Sequence, residues 1–200
     1  ILHERSLRDK LSQIADELGL EFLPDGDDAL MSQLAGFHLF SQGRRRRMRN
    51  LMLGEANGLE VAIFDYRYET TGSGKHSKTH KLSVICFTAQ ELDLPKFALR
   101  PEGLFHKIGS ALGFQDIDFD SHPKFSSAYL LQGANESAIR ELFNDEVLEF
   151  FDSSRKLCVE GHGDHLCFYR RGRRIAPEHV KDFMAEGFVI YKLFRGDESE

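Results

Sequence analysis

Tryptophan is absent from this sequence, and cysteine (3) and proline (5) are scarce. Three cysteines in 200 residues do not make a secreted disulfide framework, which depends on dense, even pairing. A reducing compartment is the expected setting. Long apolar runs are missing as well, since none approaches the roughly 18–20 residues that cross a bilayer as a helix. No secretory leader pattern opens the chain. It begins at Ile1 rather than Met, the start expected of a trimmed chain with an anchor or leader upstream. What is present is ordinary for a globular protein: 41% hydrophobic and 29% charged residues exclude a disordered chain. The length suits one large domain or two small lobes sharing a core. Phenylalanine is abundant (17), so the core is expected to be aromatic.

Charge is the most informative feature. The net charge of −6 argues against a general nucleic-acid binder, yet the arginines are segregated. Arg44, Arg45, Arg46, Arg47 and Arg49 form one cluster, and Arg170, Arg171, Arg173 and Arg174 another. Five arginines on an extended stretch project to both sides of it, which a buried sheet would not tolerate. That stretch is expected at an exposed edge, loop or hairpin end. Guanidinium groups fork onto phosphates, so anionic lipid, RNA or an acidic protein face are the chemical candidates. RNA is disfavoured by overall acidity and by the lack of aromatics interleaved with the basic residues. The plain structural reading is a solvated patch that blunts a sheet edge.

Periodicity gives an α+β organisation. Leu7, Leu11, Ile14 and Leu18 place a helix over 6–18, capped by Ser6 and stopped at Gly19. A shorter helix follows over Asp28–Ala35 behind Asp27, with Gly36 as its terminator. Phe37–Ser41, Arg47–Leu53, Leu59–Tyr68 and Leu82–Thr88 read as strands of an antiparallel meander, with a hairpin turn at Glu55–Gly58 and a polar loop at Thr70–His80. Leu94–Pro101 is extended, and a helix is expected over Leu104–Leu112. Thereafter Tyr129–Gln132, a helix over Glu136–Phe151, Leu157–Glu160, His165–Tyr169, a helix over Pro177–Glu186 and a last strand at Phe188–Phe194 spell β-α-β-β-α-β, the ferredoxin-like order. The expected division is a helix-plus-meander lobe over 1–103 and a ferredoxin-like lobe over 104–195. A frayed acidic tail covers 196–200.

Four motifs suggest chemistry. Thr71-Gly72-Ser73-Gly74-Lys75-His76 resembles a phosphate-binding loop, but Glu69 and His76 stand where the motif needs Gly and Ser or Thr. It also joins two strands, so no helix N-terminus faces a phosphate, and the motif is rejected. Asp116, Asp118, Asp120 and His122 alternate, and on a strand would share one face suited to a divalent cation. Ile117 and Phe119 between them give the competing reading, an edge strand with its acidic face in water. Across Gly161–Asp164, a symmetric hairpin sets Cys158 opposite Cys167 and Glu160 opposite His165. Leu157, Val159, Leu166 and Phe168 then share an apolar face, with the two thiols, Glu160 and His165 on the other. That second set would suit zinc or a cross-strand disulfide, but two thiols packed under a helix is the favoured reading. Cys86, within an apolar strand, reads as an inert packing group. No catalytic string of known mechanics occurs.

Leu99–Gly109, Asp116–Asp120, Tyr129–Gly133 and the opening helix with Glu17-Leu18-Gly19-Leu20 together resemble a group of bacterial proteins with no established activity. The resemblance spans most of the chain. In that group this region typically follows one or more transmembrane helices, so it implies anchoring on the cytoplasmic side. It carries over no catalytic residues and no cofactor. The resulting expectation is a non-enzymatic interaction domain of a membrane-associated protein, docking a protein or an anionic surface through Arg44–Arg47 and Arg49. The alternative is a metal-binding domain or metal-dependent hydrolase using Asp116, Asp118, Asp120 and His122.

Overall fold

The computed structural model describes residues 2–71, 76–102, 116–154 and 156–196. Eight strands form one sheet in the order β1-β2-β3-β4-β8-β7-β5-β6, with every pairing antiparallel. The strands are β1 (Glu21–Leu23), β2 (Arg44–Ala56), β3 (Leu59–Thr71), β4 (Ser77–Ala89), β5 (Leu94–Pro101), β6 (Tyr129–Gly133), β7 (Cys158–Gly163) and β8 (His165–Tyr169). The helices are α1 (Leu2–Leu18), α2 (Asp28–Gln33), α3 (His38–Ser41), α4 (Pro123–Ala128), α5 (Glu136–Leu142), α6 (Asp145–Ser153) and α7 (Val180–Arg195). The α+β class holds, while α1 begins at Leu2, so Ser6 lies inside the helix and does not cap it. The helix expected over Leu104–Leu112 lies outside the described residues.

Strand alternation divides the apolar side chains between two cores. On one face Met52, Ile63, Ile85, Phe87, Phe97, Leu99, Val159 and Phe168 meet α1, α5, α6 and α7. On the other, Phe64, Tyr66, Leu82, Val84 and Tyr169 meet the short segment from α2 to α3, which contributes Leu30, Leu34, Phe37 and Phe40. Aromatic rings dominate both, as the phenylalanine content suggested. Phe97, Phe143 and Phe194 stack or abut at centroid distances of 5.2–5.4 Å.

Four sequence expectations need correction. Phe188–Phe194 is the last half of α7 instead of a strand, so β-α-β-β-α-β does not form. The run is apolar enough for either state, and helical spacing decides it: Val180, Phe183, Gly187, Ile190, Tyr191 and Phe194 make one buried stripe. Gly187 is a point of contact and no terminator, because a Cβ there would lie 2.9 Å from Ile85 Cδ1. The helix ends at Gly196, whose φ of 70° is left-handed. Second, Phe37–Ser41 holds the one-turn α3. Its Leu39 N–H donates to the Glu160 carboxylate at 3.0 Å, a cap supplied from far along the chain. Third, the helix over Glu136–Phe151 breaks at Phe143, because Asn144 caps a new helix by accepting from Val147 N–H at 3.0 Å. Finally, the β7–β8 pairing is shifted by two residues, setting Cys158 opposite Tyr169 and Glu160 opposite Cys167. The turn tightens to Gly163-Asp164. An even shift keeps every side chain on its expected face.

The meander is close to expectation. The turn at Asn57-Gly58 has both residues at positive φ, as a two-residue hairpin requires. The expected loop at Thr70–His80 is mostly strand, since Thr71 pairs with Ser77. Cys86 is no inert thiol: it faces Cys167 across β4–β8 and is joined to it by a disulfide. Cys158 remains a free, buried thiol.

Candidate functional site

β2, β3 and β4 are 13 residues each, longer than the helical layer above them. At one end α1 and α7 cover their apolar side chains. At the other end the same face is polar. There Arg47 pairs with Arg67, and Arg67 with Lys81, so three cations lie in a row across three strands. Neighbouring strands are about 4.8 Å apart, which gives the row a span of roughly 10 Å. Like charges directly opposite each other on a sheet face are destabilising, so nothing in the fold itself favours this row.

β2 reaches this arrangement through two bulges. The pairing slips between Arg44 and Arg47 and again between Arg49 and Met52, and Arg45 and Asn50 have positive φ of 52° and 51°. Arg47, Arg49 and Met52 thereby share one face although their spacing is uneven. β1 pairs only with Leu51–Leu53, Asn50 N–H donates to Pro24 O at 3.1 Å and Gly26 packs on Met48, which leaves Arg44–Arg47 as an open edge of the sheet. The edge expected from the arginine run is therefore present, and Arg44, Arg45, Arg46 and Arg47 are exposed along it.

A groove of about 380 Å³ opens over the row. Its lining includes Arg8, Arg47, Arg49, Arg67, Lys81 and Arg174, against the single carboxylate Asp65. Residue 174 arrives from the second arginine cluster. The segment after β8 is pinned to β4, with Ser83 N–H donating to Arg173 O at 3.0 Å and Ile175 N–H to Ser83 Oγ at 2.9 Å. Asp65 accepts from Asn50 Nδ2 at 2.8 Å and Ser83 Oγ at 2.9 Å, and pairs with Arg174. Arg49 and Arg8 share Asp25. Glu69 takes Arg67 at 2.9 Å and Arg45 at 3.3 Å. Arg46 Nη1 donates to Phe40 O at 2.5 Å. Neither Arg47 nor Lys81 has a carboxylate partner among the described residues. On a chain of net charge −6, this is a concentrated positive field.

The rest of the second cluster works elsewhere. Arg170 forks onto Glu186 and lies 5.3 Å over the Phe168 ring. Sequence reasoning singled out both clusters but did not foresee that Arg174 meets Arg47 and Arg49. It missed Arg8, Arg67 and Lys81 altogether. Their signal was the strand pairing, which aligns Arg67 and Lys81 once the meander's register is drawn.

The aspartate string is not a strand. Its backbone runs beside β6, where Ile117 N–H donates to Leu131 O at 2.8 Å and Asp116 Oδ1 accepts from Leu131 N–H at 2.9 Å. This occupies the outer hydrogen-bonding groups of β6. Ile117 and Phe119 are buried as anticipated. Burial, then the neighbouring acids Asp118 and Glu102, hold the Asp116 carboxyl above its ordinary pKa. Asp118 and Asp120 are exposed, and His122 Nδ1 sits 3.1 Å from Ser121 Oγ. Among the described residues no three His, Cys, Asp or Glu side chains converge as a metal site.

A second polar group is wholly internal. Glu160 accepts from Tyr169 Oη at 2.7 Å and from Leu39 N–H. Arg100, also buried, donates to Gln132 Oε1 at 2.5 Å and to His38 Nε2 at 2.7 Å. Because arginine can only donate, His38 Nε2 accepts and its proton sits on Nδ1. The Gln42 side chain 3.4 Å from Nδ1 is then best oriented with its oxygen inward. Burial, followed by the charges of Arg100 and Arg171, lowers His38 to about 4. Burial raises Glu160 above the usual carboxylate range, while its Tyr169 and backbone hydrogen bonds oppose the rise. This network anchors α3 to the sheet.

No family model and no curated protein matches the chain. Among solved structures, the crystal structure of the mycobacterial trehalose monomycolate transport factor A, TtfA, has a similar fold. The TM-score is 0.66 at 14% identity, covering 96% of this chain and 93% of that one. No described helix is long and apolar enough to cross a membrane.

Proposed function

We propose that this chain is a non-enzymatic docking domain of a membrane-associated bacterial protein, which binds an anionic surface through the open edge of β2. The observation that carries the reading is the row Arg47–Arg67–Lys81, in which Arg47 and Lys81 lack acidic partners among the described residues. Fold stability gives no reason to keep such a row, whereas an anionic surface does. The exposed Arg44 and Arg45 extend the same edge. The fold shared with a protein titled a transport factor accords with a domain that binds instead of converting a substrate. A membrane is favoured over RNA, because Tyr66, the aromatic at the groove, is 1% exposed and offers no face for base stacking.

Vesicle co-sedimentation tests this. Binding to phosphatidylcholine vesicles containing phosphatidylglycerol, with none to phosphatidylcholine alone, is the expected result. It should weaken steeply with added salt, since the contacts are electrostatic. Equal binding to both vesicles, or an unchanged result with Arg44, Arg45, Arg46 and Arg47 all replaced by Ala, would sink the reading.

A further inference from the structure

The structure assigns a phosphomonoester-bearing lipid headgroup to the groove over Arg47, Arg67 and Lys81; this rests on the anionic-surface reading and specifies its ligand. Three observations point there. First, the cations are arranged around a concavity. Arg47 and Arg67 come from the sheet, Lys81 completes the row, and Arg174 closes the far wall beside Leu7 and Arg8. A tetrahedral phosphate carries oxygens in several directions and can accept from more than one of these donors at once. A carboxylate, with two coplanar oxygens, suits a single guanidinium fork. Second, the acids at the site are already engaged: Asp65 with Arg174, Asn50 and Ser83; Glu69 with Arg45 and Arg67; Asp25 with Arg8 and Arg49. Those pairs hold the walls in place, and Arg47 and Lys81 are the two cations there with no acidic partner among the described residues. The three acids balance three of the seven cations, and a doubly charged phosphomonoester offsets more of the remaining excess than a singly charged phosphodiester. Third, the groove opens onto the exposed β2 edge at Arg45 and Arg46, and a shallower concavity lined by Arg45, Arg46, Arg47, Arg67 and Glu69 continues it.

The lipid source follows from what surrounds the groove. Its lining residues are charged or polar apart from Leu7 and the buried Tyr66, so no aromatic face is open to hold the body of a soluble organic phosphate. The open side is a charged edge, the geometry for meeting a plane of headgroups. Val189 is the one large apolar side chain exposed among the described residues, which offer no apolar wedge to the acyl region, so they attach at headgroup level.

The test compares vesicles of phosphatidylcholine containing either phosphatidic acid, a phosphomonoester, or phosphatidylglycerol, a phosphodiester, adjusted to equal zeta potential. Tighter binding to phosphatidic acid by about tenfold is expected. The double variant Arg47→Gln/Lys81→Gln should lose that preference, and Arg44→Gln, on the same edge but outside the groove, should keep it. Circular dichroism and the melting midpoint check that both variants fold. Equal binding to the two lipids overturns the phosphomonoester assignment and leaves the anionic-surface reading standing. Binding to neither overturns both. A third arm titrates soluble glycerol phosphate: saturation at micromolar concentration, with no preference between vesicles, replaces the lipid source by a free phosphate ligand.

Discussion

Towards the β2–β3 turn, β2, β3 and β4 place Met52, Ile63 and Ile85 side by side beneath α1 and α7. Two rows further along, the same face of the same strands carries Arg47, Arg67 and Lys81 in the open. Between them lies a transition row of Arg49, Asp65 and Ser83, in which every member is bonded to a partner. Backbone pairing is continuous across all three rows of β3 and β4, so the contrast belongs entirely to the side chains. The covered end is set by volume and shape. The projecting end is set by charge that the fold leaves unneutralised.

The contrast makes opposite demands on substitution. The largest effect belongs at the covered end: Phe87→Ala, under the Phe188 and Tyr191 rings, should cost about 3–5 kcal/mol in urea unfolding. A loss below about 1 kcal/mol would mean that α7 repacks freely. Gly187→Leu should cost about 1–3 kcal/mol by pushing α7 away from Ile85 and Phe87, read as a lower thermal midpoint. Next is a pH effect from beneath α3. The folded pKa of His38, about 4, lies below its ordinary 6.5, so the unfolded chain takes the proton first as pH falls. Its contribution is complete above pH 6.5 and is lost on the way down to about 4, on the order of 3 kcal/mol at most. Glu160, raised by burial, acts with the opposite sign, because its protonated form suits the folded state. Unfolding curves of His38→Gln between pH 7.5 and 4 isolate the two: the variant should lose less stability on acidification than the parent, because of the pair only the Glu160 contribution remains. The smallest effect should be a gain. Arg47→Thr removes a like-charge neighbour of Arg67 and should stabilise by a few tenths of a kcal/mol at low salt, vanishing near 1 M. A clear loss instead would show that Arg47 contributes to holding the fold together.

The difference between the ends also explains what could be read from sequence. The meander, the α1 stripe and the caps at Asp27 and Asn135 depend on neighbours within a few residues, and they were legible. The arginine edge was legible because five such side chains have no place in a core. What failed depended on distant partners. Leu39 enters a helix because Glu160 caps it, and Phe188–Phe194 continues a helix whose buried stripe meets Ile85 and Phe87 at Gly187. The groove was hidden for the same reason. Arg8, Arg67, Lys81 and Arg174 are scattered along the chain, and only sheet register brings them to one concavity.

One residue governs which side of the sheet the arginines inhabit. At Asn50 the chain takes an extra step, so that side-chain alternation along β2 changes phase between Arg49 and Met52. If Asn50 were instead paired as an ordinary ladder residue, with the apolar half of β2 in place, Arg49 and Arg47 would turn to the side occupied by Phe40, Tyr66 and Tyr68. The polarity of the whole projecting ribbon thus depends on the bulge in the ladder as well as on residue identity. Removing Asn50 would straighten the ladder with every arginine still on its present side, whereas an ironed-out bulge would carry them across it.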